Sequence, residues 1–124
     1  MFGFGSANGA VKEMTPAEVH DAMKKHSIVL VDVREPHEYT AERIHGALLF
    51  PLSTFDPKAL PKPEGCRVVF HCGSGIRSAK AIGKCEQLGI AHEVHMAGGI
   101  QAWKRAGLPT VSLDPGSGKI VDRK

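Results

Sequence analysis

The segment that decides the fold is VVFHCGSGIRS, residues 68–78. It begins as an uninterrupted apolar run rich in β-branched side chains, which predicts a strand buried on both faces, as in a parallel sheet. It continues as a glycine-rich turn and then as a helix that we expect to begin near Arg77. A strand that turns directly into a helix is half of a βαβ unit, so this segment favours a parallel α/β fold.

The same alternation of strands and helices extends on both sides of this segment. Predicted helices cover residues 16–25, 35–41, 77–88 and 99–106, and predicted strands cover residues 28–33, 47–50, 66–71 and 92–96. We therefore predict an α/β fold with a central, mostly parallel five-stranded sheet and helices on both faces. The first helix is expected to follow a capping box at Thr15 and Glu18. The expected organisation is a flexible segment over residues 1–13, one domain over 14–113 and a tail over 114–124.

Composition argues against several classes of protein. The 124 residues are 42% hydrophobic and 23% charged, which is typical of one globular domain. The net charge of +3 comes without a run of basic residues, so no nucleic-acid partner is expected. No apolar run approaches the roughly 20 residues of a membrane span, and the first residues lack the pattern of a signal peptide. Three cysteines argue against a disulfide framework, so we expect a cytoplasmic protein without membrane association.

Cys72 stands where the predicted strand ends and the glycine-rich turn begins. Open α/β sheets bind ligands at this end of their strands. Gly73 and Gly75 allow backbone amides to point inward around an anion, and the following helix N-terminus adds partial positive charge. These groups stabilise a thiolate, so we predict that Cys72 is a nucleophile with a pKa below that of a free thiol. Arg77 adds a planar guanidinium whose N–H donors suit a pair of sulfonate or phosphate oxygens. The alternative is an inert buried cysteine beside a tight turn. This alternative is disfavoured because an inert turn does not require an arginine at the start of the following helix, where Arg77 stands.

Four segments of the chain resemble the rhodanese family of sulfurtransferases. They are CGSGIRS at 72–78, DVREPHEY at 32–39, IHGA at 44–47 with Pro51 and Leu52 after it, and GGIQAW at 98–103 followed by Gly107, Leu108 and Pro109. The segments occur in the family's order and cover roughly residues 13–113. The resemblance implies a rhodanese-like fold and a persulfide carried on Cys72. It also implies that the substrate is bound by the rest of the loop, Gly73, Ser74, Gly75, Ile76, Arg77 and Ser78.

The resemblance further implies a double displacement without a metal or organic cofactor. The Cys72 thiolate would take sulfur from thiosulfate or a similar small anionic donor and pass it to cyanide or a thiol acceptor. Phosphatases and arsenate reductases of the same fold have one more residue between cysteine and arginine, and here that arginine position is Ser78. The shorter loop therefore favours sulfur transfer. Two classes stay open: a turnover enzyme, and a sulfur-relay module that carries the persulfide between protein partners. A catalytically inactive rhodanese-like scaffold is disfavoured because Cys72 and Arg77 are both present.

Asp32, Arg34 and Arg43 are predicted to support the site. Asp32 and Arg34 end the strand at 28–33, on the same sheet edge as Cys72. Asp32 either braces the loop through hydrogen bonds or belongs to a structural polar cluster, and Arg34 is expected to pair with Glu38. Arg43 stands where the family usually has histidine, so the rim of the site and the substrate preference are expected to differ from the commonest ones.

The remaining cysteines and the histidines are interpreted as structural. Cys66 is separated from Cys72 by extended chain of about 20 Å, which is too far for a disulfide. Cys85 falls at helical spacing with apolar residues and is predicted to lie in the core. The seven histidines show no ligand spacing on one face, and His92 and His95 are expected to face opposite sides of a strand. We therefore expect no metal site.

Overall fold

The computed structural model describes residues 11–123 and alternates strands with helices along most of that range. In chain order the elements are β1 (Lys12–Met14), α1 (Pro16–Lys24), β2 (Ile28–Asp32), α2 (Pro36–Ala41), β3 (Glu42–Arg43), β4 (Leu48–Leu49), β5 (Arg67–His71), α3 (Ile76–Gln87), β6 (Val94–Met96), α4 (Gly99–Arg105), β7 (Thr110–Leu113) and β8 (Ile120–Arg123). Two turns of 3-10 helix, Leu52–Thr54 and Pro57–Ala59, lie between β4 and β5. Within the described range, no helix is long and apolar enough to cross a membrane.

The central sheet has five strands in the order β1-β6-β5-β2-β4, and every neighbouring pair is parallel. β5 is its middle strand, and β2 pairs with it in register from Ile28 opposite Arg67 to Asp32 opposite His71. The carboxyl ends of parallel strands meet at one edge of a sheet, so this register brings the residues after β5 beside the end of β2. The predicted α/β fold with its five-stranded sheet is confirmed.

Two hydrophobic clusters cover the two faces of this sheet. Along β5, Val69 packs in one cluster, while Val68 and Phe70 pack in the other, because successive side chains of a strand point to opposite faces. The first cluster includes Trp103 of α4, and the second includes Cys85 of α3. The strands are therefore buried on both sides by helices, as their unbroken apolar runs predict.

A second, smaller sheet was not predicted from the sequence. It is antiparallel, with the order β3-β7-β8, and β8 lies within the predicted tail over residues 114–124. β1 likewise begins within the segment predicted to be flexible over residues 1–13, which contains its first two residues and of which residues 1–10 are outside the described range. Both strands are held by backbone pairing, and neither buries an alternating apolar face that a sequence pattern could reveal.

Candidate active site

Cys72 is the first residue after β5, and its thiol lies inside the turn that leads to α3. The residue is 1% exposed and forms no disulfide. Its Sγ accepts hydrogen bonds from the backbone amides of Gly75, at 3.0 Å, and Ser78, at 3.4 Å. Gly75 has a φ of 114°, a left-handed conformation that side chains disfavour and that turns its amide inward. We call these two amides around Cys72 Sγ the amide cradle.

The amide cradle and its surroundings determine the acidity of the Cys72 thiol. Burial alone would raise the pKa of Cys72, because it removes water from the thiolate. Hydrogen bonds from the Ser78 hydroxyl and from the amides of Ser78, Gly75 and Ser74 outweigh burial, so the pKa of Cys72 lies below its usual value. The Ser74 and Ile76 side chains are exposed, Ile76 to 68%. The thiolate is therefore stabilised by one side-chain hydroxyl, that of Ser78, and by backbone amides of the loop.

The N-terminus of α4 holds the loop from the other side. The Ile100 amide donates a hydrogen bond of 2.8 Å to the Cys72 carbonyl, and the Gln101 amide donates one of 3.2 Å to the Gly73 carbonyl. Gly99 lies against the same carbonyls, and a Cβ there would come within 2.6 Å of the Gly73 carbonyl. The second glycine of the GGIQAW segment is therefore required for this close approach of two backbones.

Arg77 forms an ion pair with Glu38 of α2. Its guanidinium donates two hydrogen bonds to the Glu38 carboxylate, of 2.6 and 3.0 Å, and these bonds hold the pKa of Glu38 at about 2. The guanidinium also lies over the loop, since a Cβ at Gly73 would be 3.1 Å from its Nη2. The predicted pair of Arg34 with Glu38 is therefore wrong, because the fold brings Arg77 to this carboxylate instead.

Asp32 and Arg34 form a buried ion pair at the end of β2. The Arg34 guanidinium donates to the Asp32 carboxylate, with a shortest distance of 2.8 Å, and to the Glu42 carbonyl at 2.7 Å. His71 Nδ1 lies 3.2 Å from the Cys72 carbonyl, and its Nε2 lies 3.5 Å from Asp32 without a hydrogen bond. Burial lowers the pKa of His71, so its ring is neutral. Asp32 belongs to this polar cluster and makes no hydrogen bond to residues 72–78.

Arg43 lies in the smaller sheet, on β3. Its guanidinium stacks over the Tyr39 ring, 5.0 Å from the centroid, and lies 3.4 Å from the Tyr39 carbonyl. These contacts, rather than contacts with the loop, are the ones that the structure gives Arg43. Neither a hydrogen bond nor an ion pair links Arg43 to residues 72–78.

Two residues beside the loop were missed by the sequence analysis. His95 is buried on β6, where its Nδ1 lies 2.7 Å from Ser78 Oγ. Its Nε2 lies 3.1 Å from a carboxylate oxygen of Glu13, which is opposite His95 in the pairing of β1 with β6. From the sequence, His95 is considered only as a metal ligand. A prediction of β1 beside β6 would have been needed to connect it with Glu13.

A cavity of about 890 Å³ lies elsewhere, lined by residues of α1, β2 and the smaller sheet. It is mostly apolar, and Met23, Leu30 and Trp103 are among its lining residues. None of residues 72–78 lines it. The Cys72 thiol therefore lies inside its loop and not in this cavity.

Comparison with known proteins points to one family. A family model described as Rhodanese-like domain matches residues 15–106. An uncharacterized protein of Synechocystis is 40% identical over 98 residues, which are 79% of this chain and 55% of that protein. The probable adenylyltransferase/sulfurtransferase MoeZ of Mycobacterium tuberculosis is 35% identical over 103 residues, 81% of this chain and 26% of that protein. A sulfurtransferase of Allochromatium vinosum is 36% identical over 85 residues, 68% of this chain and 79% of that protein.

Solved structures share the fold. A rhodanese-related protein from Thermoplasma volcanium has a TM-score of 0.69 at 30% identity, covering 81% of this chain and 97% of that chain. An As-Sb reductase from Leishmania major has a TM-score of 0.70, covering 90% and 92% of the two chains, and its 17% identity shows a common fold alone. The chain spans about half of the Synechocystis relative and about a quarter of MoeZ.

Proposed function

We propose that this chain, which belongs to the rhodanese-like domain family, is a sulfurtransferase that carries sulfur as a persulfide on Cys72. The observation that carries the proposal is the amide cradle, which directs the amides of Gly75 and Ser78 at Cys72 Sγ. Such donors stabilise a thiolate before the reaction and the negative charge on a persulfide after it. A buried cysteine without such donors is a poor nucleophile.

The proposed reaction is a double displacement. The Cys72 thiolate attacks the outer sulfur of thiosulfate, the sulfur–sulfur bond of the donor breaks, and sulfite leaves with the electron pair. The persulfide on Cys72 then carries one negative charge on its terminal sulfur, which the loop amides stabilise. Cyanide or a thiolate attacks that terminal sulfur, and Cys72 leaves as a thiolate. No metal or organic cofactor takes part, and ping-pong kinetics are expected.

Arg77 is proposed to assist in binding the donor's oxygens while it remains paired with Glu38. The guanidinium has five N–H donors, and Glu38 accepts two hydrogen bonds from it. The Arg77 side chain is 33% exposed, so its remaining donors can face an anion at the mouth of the loop. Gly73, Ser74, Gly75, Ile76 and Ser78 supply the backbone around the reacting sulfur. Asp32 and Arg34 are proposed to keep the end of β2 rigid, and Arg43 is given no part in the reaction.

A second candidate function is sulfur relay between proteins. Ile76 is 68% exposed at the loop that holds Cys72, and an apolar side chain at that position suits contact with another protein. The match to a part of MoeZ, a probable adenylyltransferase/sulfurtransferase, favours the same possibility. The two candidates differ in the donor, which is a free small anion in the first and a persulfidated protein in the second.

The test is intact mass spectrometry of the reduced protein after incubation with thiosulfate, followed by cyanide. The proposed enzyme gains one sulfur atom and releases it as thiocyanate, Cys72→Ser gains none, and the control Cys66→Ser gains sulfur normally. Loading by a persulfidated donor protein but not by thiosulfate would assign the relay function. Failure of Cys72 to accept sulfur from either source would contradict both candidates.

A further inference from the structure

Ser78, His95 and Glu13 connect the Cys72 thiol with the protein surface. Cys72 Sγ lies 3.6 Å from Ser78 Oγ, Ser78 Oγ lies 2.7 Å from His95 Nδ1, and His95 Nε2 lies 3.1 Å from Glu13 Oε2. Cys72, Ser78 and His95 are all less than 5% exposed, whereas the Glu13 side chain is 61% exposed. The contacts therefore form a continuous path from a buried thiol to an exposed carboxylate.

One arrangement of hydrogen atoms satisfies this whole path when His95 is neutral. The Glu13 carboxylate can only accept, so His95 Nε2 must carry the hydrogen and donate it to Glu13. Nδ1 of the neutral ring is then an acceptor, and it receives the hydrogen of the Ser78 hydroxyl, to which it lies closer, at 2.7 Å, than the Gly75 carbonyl does, at 3.2 Å. Ser78 Oγ is left to accept the Cys72 S–H, so every donor points from the thiol toward the surface.

We propose that His95 takes the proton of Cys72 through Ser78, and that Glu13 positions and stabilises the resulting imidazolium. The S–H bond of Cys72 breaks and its electron pair stays on sulfur, while Ser78 Oγ gains that proton and passes its own to His95 Nδ1. The products are a thiolate, an intact serine hydroxyl that donates to the thiolate, and an imidazolium that donates at both nitrogens. No atom is oxidised or reduced, and no co-reactant is needed. His95 and Glu13 act through other groups and are positioning residues.

Few ionisable groups face the His95 ring. Glu13 faces it from β1, Ser78 faces it from α3, and the position paired with it on β5 is the apolar Phe70. Lys12, the nearest basic residue on β1, forms an ion pair of 3.0 Å with Glu93. Among the described residues, the ionisable groups linked to the ring are thus one carboxylate and, through Ser78, one thiol. An imidazolium between them is attracted by both negative charges.

The inference rests on the proposed function in that Cys72 is its nucleophile, but it is tested without a sulfur donor. The rate of alkylation of the full chain by iodoacetamide is measured against pH, because only the thiolate reacts. His95→Asn is expected to raise the apparent pKa of Cys72 and to slow alkylation near neutral pH about tenfold, which corresponds to one pKa unit. Glu13→Gln is expected to have a smaller effect in the same direction. The control His92→Asn, which removes a histidine in edge-to-face contact with Phe70 outside the path, is expected to match the wild type.

The pH profile of alkylation separates this role from a purely structural one. A structural role for His95 would change the stability of the protein without moving the pH at which the Cys72 thiolate forms. Equal alkylation profiles of His95→Asn and His92→Asn would overturn the proposal, and His95→Gln replaces His95→Asn if the latter does not fold. A shifted alkylation profile of His95→Asn in a protein that accepts no sulfur would instead overturn the sulfurtransferase assignment alone.

Discussion

Cys72 and Cys85 are buried in the same hydrophobic cluster, but the pKa values of their thiols are shifted in opposite directions from that of an ordinary cysteine. Burial without compensating donors raises the pKa of Cys85 to about 11. The pKa of Cys72 is lowered despite its burial, because backbone amides and the Ser78 hydroxyl donate to its sulfur. At the level of single residues, the position of a few N–H and O–H donors therefore separates the proposed nucleophile from a core cysteine with a raised pKa.

The pair of Glu38 with Arg77 gives a prediction at the same scale. Glu38→Gln keeps the shape of the side chain and removes its charge, so we expect the free energy of unfolding at neutral pH to fall by up to about 1 kcal/mol. The pKa of Glu38 is lowered from 4.5 to about 2, so its stabilising contribution is complete above 4.5 and is lost as the pH falls toward 2. Urea unfolding of both proteins at several pH values should show a difference that shrinks across this window. A difference of constant size would contradict the assignment, and the exposed Glu86→Gln serves as the control.

The residues that could be predicted from the sequence are those whose chemistry is local. Cys72, its glycines and the following helix are contiguous, so their joint effect on a thiolate can be inferred without knowing the fold. Glu38 and Arg77 are 39 residues apart, and Glu13 and His95 are 82 apart, so only strand order and register bring them together. The expected pair of Arg34 with Glu38 failed for the same reason, since proximity in sequence is a weak guide to ion pairs.

At the scale of elements, the first residues of α4 hold the backbone of the loop that contains Cys72. We expect Gly99→Ala to slow sulfur loading of Cys72 at least about tenfold and to cost about 1–3 kcal/mol of stability, because its Cβ forces the Gly73 carbonyl to move. The matched control is Gly107→Ala, which also has a positive φ, of 78°, but would meet no atom within 4 Å. Backbone strain alone therefore lowers stability in the control and leaves loading unchanged. Loading rates are measured by mass and stabilities by urea unfolding, and equal loading by the two variants would contradict the role of α4.

The elements themselves differ in how readily they can be predicted. The capping box of α1 is confirmed, with the Thr15 side chain accepting from the Glu18 amide at 3.1 Å and the Glu18 carboxylate accepting from the Thr15 amide at 2.8 Å. This motif depends on four consecutive residues and is independent of the rest of the fold. β1, by contrast, is a three-residue edge strand whose pairing with β6 depends on backbone hydrogen bonds that any sequence could make.

At the scale of the whole molecule, the parallel sheet concentrates polar groups in its interior. Asp32, Arg34, His71 and Cys72 all follow or end neighbouring strands, and each is at most 5% exposed. Burying such groups beside the reactive loop fixes their geometry, and it also makes the stability of the fold sensitive to pH.

The buried ring of His71 determines how that sensitivity should appear. Burial lowers its pKa from the ordinary value of 6.5, so below that value the unfolded chain binds a proton that the folded chain does not. The free energy of unfolding is therefore expected to fall as the pH drops below 6.5, by up to about 1.4 kcal/mol per pH unit for this group. The pKa of His92 is lowered by burial in the same direction, so His71→Asn should reduce this slope without abolishing it. Urea unfolding between about pH 5 and 8 measures the slope. The exposed His37→Asn should keep the wild-type slope, and an unchanged slope in His71→Asn would show that the buried ring is protonated in the folded protein.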